Sequence, residues 1–133
     1  MTLVACVEDR LGMLFHNRRL SSDRCVCERI ETLSANTRLC VDAYSAKLFS
    51  GDRVHVSHDP GQDAQPGDIL FAERSDFLQF AEKIERVVLY KWNRRYPYDK
   101  QFPADLLQNF HLLSIEDFSG SSHETVTQEV YIR

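Results

Sequence analysis

The sequence predicts an α/β protein: a mixed, mostly parallel sheet with helices on both faces and a C-terminal antiparallel hairpin. Two observations point there. Short apolar runs bounded by charge alternate with segments of helical periodicity through the first two thirds of the chain. The last third instead holds two alternating runs, "FHLLSIEDF" and "TVTQEVYIR", separated by the loop "SGSSHE".

The elements follow in order. "TLVACV" is apolar and ends in Glu8-Asp9, so it reads as a central strand. "RLGMLFHNRRL" reads as a loop around Gly12. "SSDRCVCERIETLSAN" reads as a helix, with Ser21 or Ser22 as cap, Asp23 at the positive end of the dipole and Asn36 as stop. "RLCV" is a second strand, and a short helix then runs toward Gly51. "DRVHVSHDPG" alternates as a strand and closes in a turn at Asp59-Pro60-Gly61. "QDAQPGD" is a short linker and "DILFAE" a buried strand. "SDFLQFAEKI" suits a capped helix with Phe77, Phe80, Ala81 and Ile84 on one face, and "ERVVLYKW" is a strand. No repeat or boundary interrupts residues 1–133, which read as one domain.

Composition narrows the class. Hydrophobic residues make up 43% and charged residues 27%, the balance of a globular protein, and the formal net charge is -4. A pI of 5.7 argues against broad affinity for nucleic acid or anionic lipid. No apolar run approaches bilayer length. "LVAC" near the start resembles a lipid-attachment site, but no basic region and long apolar segment stand before it, so a buried strand and a cytoplasmic location are expected. The four cysteines, Cys6, Cys25, Cys27 and Cys40, lack zinc-knuckle spacing and read as reduced, mostly buried thiols, with no metal site. The five histidines, His16, His55, His58, His111 and His123, form no HxHxDH or HExxH pattern.

The stretch "KWNRRYPYDK" admits two readings. Trp92 and Tyr98 would pack while Arg94, Arg95 and Lys100 are solvated, or Trp92 and Tyr96 would stack nucleic-acid bases beside Arg94 and Arg95. The acidic balance argues against broad nucleic-acid affinity but not against a local basic patch, so it leaves both open.

The order of these segments resembles the dihydrofolate reductase family over nearly the whole chain. "ILFAERSDFLQFAEKIERVVLYKW" sits where that family has a strand, a Gly-Gly turn, a helix and the next strand. "YDKQFP" is similar to its Gly-Asp-x-x-Phe-Pro segment through Asp99, Phe102 and Pro103. "VACVEDRLGMLFHN" resembles its first strand and active-site loop, keeping Ala5, Asp9, Gly12 and Asn17. "FHLLSIEDFSGSSHETVTQEVYIR" is similar to its terminal hairpin, including Tyr131 and Arg133.

The resemblance implies a pterin-side acid at Asp23, the catalytic candidate, with Ala5, Cys27 and Tyr90 lining a ligand hollow and Leu14 and Phe15 at its rim. A plain helix-start aspartate is the competing reading. The family's Pro-Trp after the active-site loop is replaced by "RRLSS".

On the cofactor side the positions of the Gly-Arg-x-Thr turn, the Ser-Arg strand end and the Gly-Gly turn read Asp42-Ala43-Tyr44-Ser45, Ser57-His58 and Ala72-Glu73. Two carboxylates near a pyrophosphate are costly. A like charge at about 4 Å amounts to about 4 kcal/mol at an effective dielectric near 20, or roughly three decades of affinity. No cofactor is therefore expected, NADPH only if the chain is a reductase after all. The expected role is a non-redox domain that binds a small molecule or a protein, with homo-oligomerisation open. The alternative is an enzyme acting on a pterin-like substrate through Asp23.

Overall fold

A computed structural model describes residues 1–133. The elements run β1 (Thr2–Val7), β2 (Gly12–Phe15), β3 (Arg18–Arg19), α1 (Arg24–Leu33), β4 (Leu39–Val41), α2 (Ala43–Ala46), β5 (Val54–Val56), α3 (Pro60–Asp63) and β6 (Ile69–Phe71). A 3₁₀ segment (Leu78–Lys83), β7 (Arg86–Lys91), β8 (Lys100–Gln101), a second 3₁₀ segment (Ala104–Asn109), β9 (His111–Phe118) and β10 (Val126–Ile132) complete the chain.

A seven-stranded sheet has the order β5-β4-β6-β1-β7-β10-β9. The pairs from β5 to β7 are parallel, and β10 runs antiparallel to both β7 and β9. The fold class read from the sequence is the one observed. Buried parallel strands are apolar on both faces, which is why "TLVACV" and "RVVLYK" look like continuous runs.

Their period of two sorts the core into two layers. Leu3, Ala5, Val7, Val87 and Leu89 pack with Phe77, Ile84, Leu106 and Phe110 under the two 3₁₀ segments. Val4, Val88, Tyr90 and Trp92 pack on the other face with Val26 and Ile30, which lie one helical turn apart on α1. Each such side chain contributes about 1.5–3 kcal/mol by leaving water.

Several local expectations change. Residues 10–20 are not a loop: β2 and β3 form a hairpin in a second, three-stranded sheet of order β3-β2-β8. Its turn residues His16 and Asn17 have φ of 51° and 62°, the left-handed pair that a two-residue hairpin turn requires and that asparagine tolerates. Helix α1 is capped by Asp23 rather than Ser21 or Ser22, and it stops at Ser34, whose hydroxyl returns to Ile30 O, so Asn36 is not the stop. Asp59-Pro60-Gly61 opens the single turn α3, with Asp59 as cap and proline at its start. "SDFLQFAEKI" winds as a 3₁₀ segment broken at Phe80 with no side-chain cap. Ala104–Asn109 forms a helical segment that the sequence reading left unassigned.

No helix is long and apolar enough to cross a membrane. Edge strand β9 is exposed along nearly its whole length, including Leu112, Leu113 and Ile115.

Candidate functional site

The C-terminal ends of β1, β6 and β7 face the start of α1 and the β9–β10 loop, where ligand sites of α/β sheets tend to lie. Asp23 stands at their centre. Its backbone is extended (φ -152°, ψ 129°), as a cap requires, and its carboxylate accepts from Cys25 N at 2.9 Å.

The same carboxylate holds the β9–β10 loop. Oδ1 accepts from Ser121 N at 3.0 Å, while Oδ2 accepts from Ser122 N at 2.9 Å, His123 N at 3.2 Å and His123 Nδ1 at 3.0 Å. The Ser121 and Ser122 hydroxyls add further bonds. Gly120 lets the loop come this close, because a Cβ there would overlap the carboxylate. The Asp23 side chain has no exposed surface.

His123 is itself buried. Its ring stacks on Trp92 with centroids 4.5 Å apart, and its Nε2 faces Ser21 Oγ at 3.0 Å and Tyr96 Oη at 3.3 Å.

Burial alone would raise the Asp23 pKa. The N–H groups of Ser121, Ser122 and Cys25, together with the His123 ring, outweigh it and hold the carboxyl well below its ordinary 3.8. Glu8 and Asp68 are lowered in the same way against their burial, Glu8 by the amides of Gly12 and Arg10 and Asp68 by the Arg38 guanidinium. A carboxyl lowered in the folded state stabilises it fully above the unfolded value and loses that contribution as pH falls through the folded one. Urea unfolding at pH 7, 5, 4, 3 and 2 should therefore show stability flat down to about pH 5 and falling steeply below pH 4. A stability curve level to pH 2 would contradict this.

Of the ligand-side residues predicted from sequence, Asp23 and Cys27 line one hollow, together with Cys6, Ser21, Glu73 and Trp92. That hollow holds about 10 Å³, room for about one water rather than a pterin ring. Ala5 and Leu14 lie in the opposite core layer. Tyr90 is on the Asp23 side but is sealed in the core, its hydroxyl on Gln128 Oε1 at 2.9 Å. Phe15 is partly exposed and stacks on His16. Cys6 pairs in register with Tyr90, and Ala5 with Leu89, so strand parity already puts Cys6 on the Asp23 face.

The cofactor-side positions do converge. Asp42, Ala43, Tyr44, Ser57 and His58 line an open groove of about 470 Å³ with Val56 and Arg74, at the ends of β4 and β5. Ala72 and Glu73 lie instead at the small hollows beside Ser21, and Glu73 is not a bare charge: Arg19 holds it through Nε at 2.8 Å and Nη2 at 3.0 Å, and Ser45 Oγ donates to it at 2.7 Å. Tyr44 lies against two guanidiniums, Arg74 at 3.4 Å and Arg19 at 4.2 Å from its ring centre.

In the basic stretch, Trp92 is buried and Arg94 and Arg95 are exposed, as expected. Lys100 is not solvated: it is half-buried and its Nζ donates to Glu73 O. Cys40 is buried, but Cys6, Cys25 and Cys27 are only half-buried. Burial pushes the Cys27 and Cys40 thiols up to about 11. No three His, Cys, Asp or Glu side chains are grouped to hold a metal ion.

Sequence reasoning missed His123, Ser21 and the Arg19–Glu73 pair. The signal for His123 was its place in a Gly-Ser-Ser-His loop, whose short polar residues leave several amides free to bind a carboxylate.

Together the sheet order and the site's placement define a dihydrofolate reductase-like fold. A solved dihydrofolate reductase from Enterococcus faecalis, complexed with NADP(H) and RAB-propyl, matches with a TM-score of 0.69 over 99% of this chain and 95% of that one, at 7% sequence identity. No protein-family model matches the sequence, and no curated protein does.

Proposed function

We propose that the chain is a non-redox binding module on the reductase fold, taking a small anionic ligand in the groove between Tyr44, Ser57, His58 and Arg74. The observation that carries this reading is Arg74. Its Nε donates to Asn17 O and its guanidinium lies over Tyr44, so a fixed cation stands at the rim of a ligand-sized groove.

The residues here do not fit a dinucleotide pyrophosphate. The position of the Gly-Gly turn carries Glu73, buried and committed to Arg19 and Ser45. A reductase acting on a pterin-like substrate through Asp23 is supported less well, because both oxygens of that carboxylate are engaged by the loop.

Thermal melts with inorganic phosphate, AMP, citrate, dihydrofolate and NADPH test the reading by linkage. Phosphate, AMP or citrate should raise the melting temperature saturably, and Arg74→Ala should abolish the rise. NADPH should give no saturable fluorescence change at tenths of a millimolar. Saturable NADPH binding, or no shift with any of the small anions, overturns it.

Nucleic acid is not the expected partner, since Trp92 is buried against His123 and offers no stacking face. Gel shifts with single-stranded RNA and DNA at low salt should show at most weak retardation. Tight, salt-sensitive binding lost in Arg94→Ala/Arg95→Ala would contradict this.

A second reading is favoured by the exposed β9 edge, with Leu112 at 48% and Leu113 and Ile115 at 57% exposure. Antiparallel pairing with a second copy about Ser114 would set Leu113 against Ile115 and His111 against Asp117. Sedimentation should then show a dimer that Ile115→Lys dissociates; a monomer at all concentrations removes the idea.

A further inference from the structure

The groups around the β9–β10 loop form a chain of a different kind from the groove. Ser21 Oγ lies 3.0 Å from His123 Nε2, and His123 Nδ1 lies 3.0 Å from Asp23 Oδ2. Hydroxyl, imidazole and carboxylate thus stand in the order nucleophile, base and orienting group, with the two ring nitrogens in the roles that acyl transfer by serine requires. We propose that Ser21, His123 and Asp23 form a nucleophilic relay that cleaves small activated esters.

Each group is held for that role. Asp23 stays ionised because the loop amides bind it, so Nδ1 carries the proton and Nε2 is left as acceptor. The backbone N–H of His123 also donates to Asp23, and Trp92 covers the ring, so the imidazole cannot turn away. Ser21 precedes α1 and is half-buried rather than sealed. The Tyr96 hydroxyl lies 3.3 Å from the same Nε2, a longer contact than that of Ser21. Two hollows of about 10 Å³ adjoin Ser21, each with room for about one water and not for an acyl chain, so the acyl group must be short and come from the solvent side.

The chemistry is balanced without a cofactor. Ser21 Oγ adds to the ester carbonyl as its proton passes to Nε2. The carbon–alkoxide bond breaks, and the alkoxide takes that proton and leaves as the alcohol. Water then repeats the cycle on the acyl-serine: its proton passes to Nε2, the free acid is released, and Ser21 recovers its hydrogen. Asp23 touches no substrate and acts as a positioning residue.

The test uses the full chain with a fluorophosphonate probe and p-nitrophenyl acetate. Intact-mass and peptide mass spectrometry should find one phosphonate on Ser21, and ester turnover above buffer and above the heat-unfolded protein. Ser21→Ala should abolish both with a melt unchanged within a few degrees, while Ser22→Ala keeps them. His123→Gln should slow labelling at least a hundredfold. Asp23→Asn should lower the maximal labelling rate while leaving the half-saturating probe concentration unchanged, a split that a merely structural role would not produce. No adduct on Ser21, labelling spread over other serines, or labelling indifferent to His123→Gln overturns the proposal. None of these results depends on the anion groove.

Discussion

Asp23→Ala should lower stability by about 3–5 kcal/mol, because several buried donors lose one carboxylate acceptor at about 1–3 kcal/mol each. For a domain of this size that is a fall of roughly 10–20 °C in melting temperature. The cause is not the lost helix cap alone, which is worth about 1 kcal/mol. The amides of Ser121, Ser122 and His123 would lose their acceptor while still held in the loop, and so would the buried His123 Nδ1–H. Ser121→Ala and Ser122→Ala should each cost only about 1 kcal/mol, because the backbone donors remain. Thermal and urea melts of the three variants decide it. An Asp23→Ala loss as small as the serine variants' would mean the loop closes without the carboxylate.

Arg19→Met should cost a similar amount, about 3–5 kcal/mol, because it strands Glu73. The Glu73 side chain is 9% exposed and would be left with one hydroxyl, Ser45 Oγ, as its side-chain donor. Arg19 would also vacate the Tyr44 ring. Replacing both charges, Arg19→Met with Glu73→Leu, should recover most of the loss, since an apolar pair of similar volume needs no counter-charge. A double mutant no more stable than the single one would show that Arg19 stabilises by packing alone. This pair also changes the electrostatics expected from sequence. Glu73 is half of a neutral pair rather than a lone charge, so the obstacle to a pyrophosphate at the Gly-Gly position is a buried side chain already committed to Arg19 and Ser45.

The central parallel strands were legible because each is a short apolar run buried on both faces, and "TLVACV" and "ERVVLYKW" agree with the observed β1 and β7 to within one residue at either end. The hairpin at His16-Asn17 was hidden because its strands have only four and two residues, too few for a period to show. The segment at Leu78–Lys83 has the spacing of a helix, but with the break at Phe80 it winds into 3₁₀ turns. At the site, Asp23 was singled out by the family resemblance, whereas its partners lie about a hundred residues away in a polar loop. Ala5 was placed on the wrong side because the strand's face depends on register with β7, where Cys6 and not Ala5 lies beside Tyr90.

By itself, then, the sequence determined the α/β class, the strand order along the chain and the terminal hairpin. Apolar period and helix-start chemistry are local properties, written within a few neighbouring residues. Only the tertiary structure decided what Asp23 does there. A carboxylate at a helix start can face a ligand, water or another part of the chain with equal local propensity. Here the β9–β10 loop, free of a Cβ at Gly120, folds over it and supplies the donors, with His123 turned toward Ser21. Those contacts join residues close in space and distant in sequence, and no local pattern encodes them.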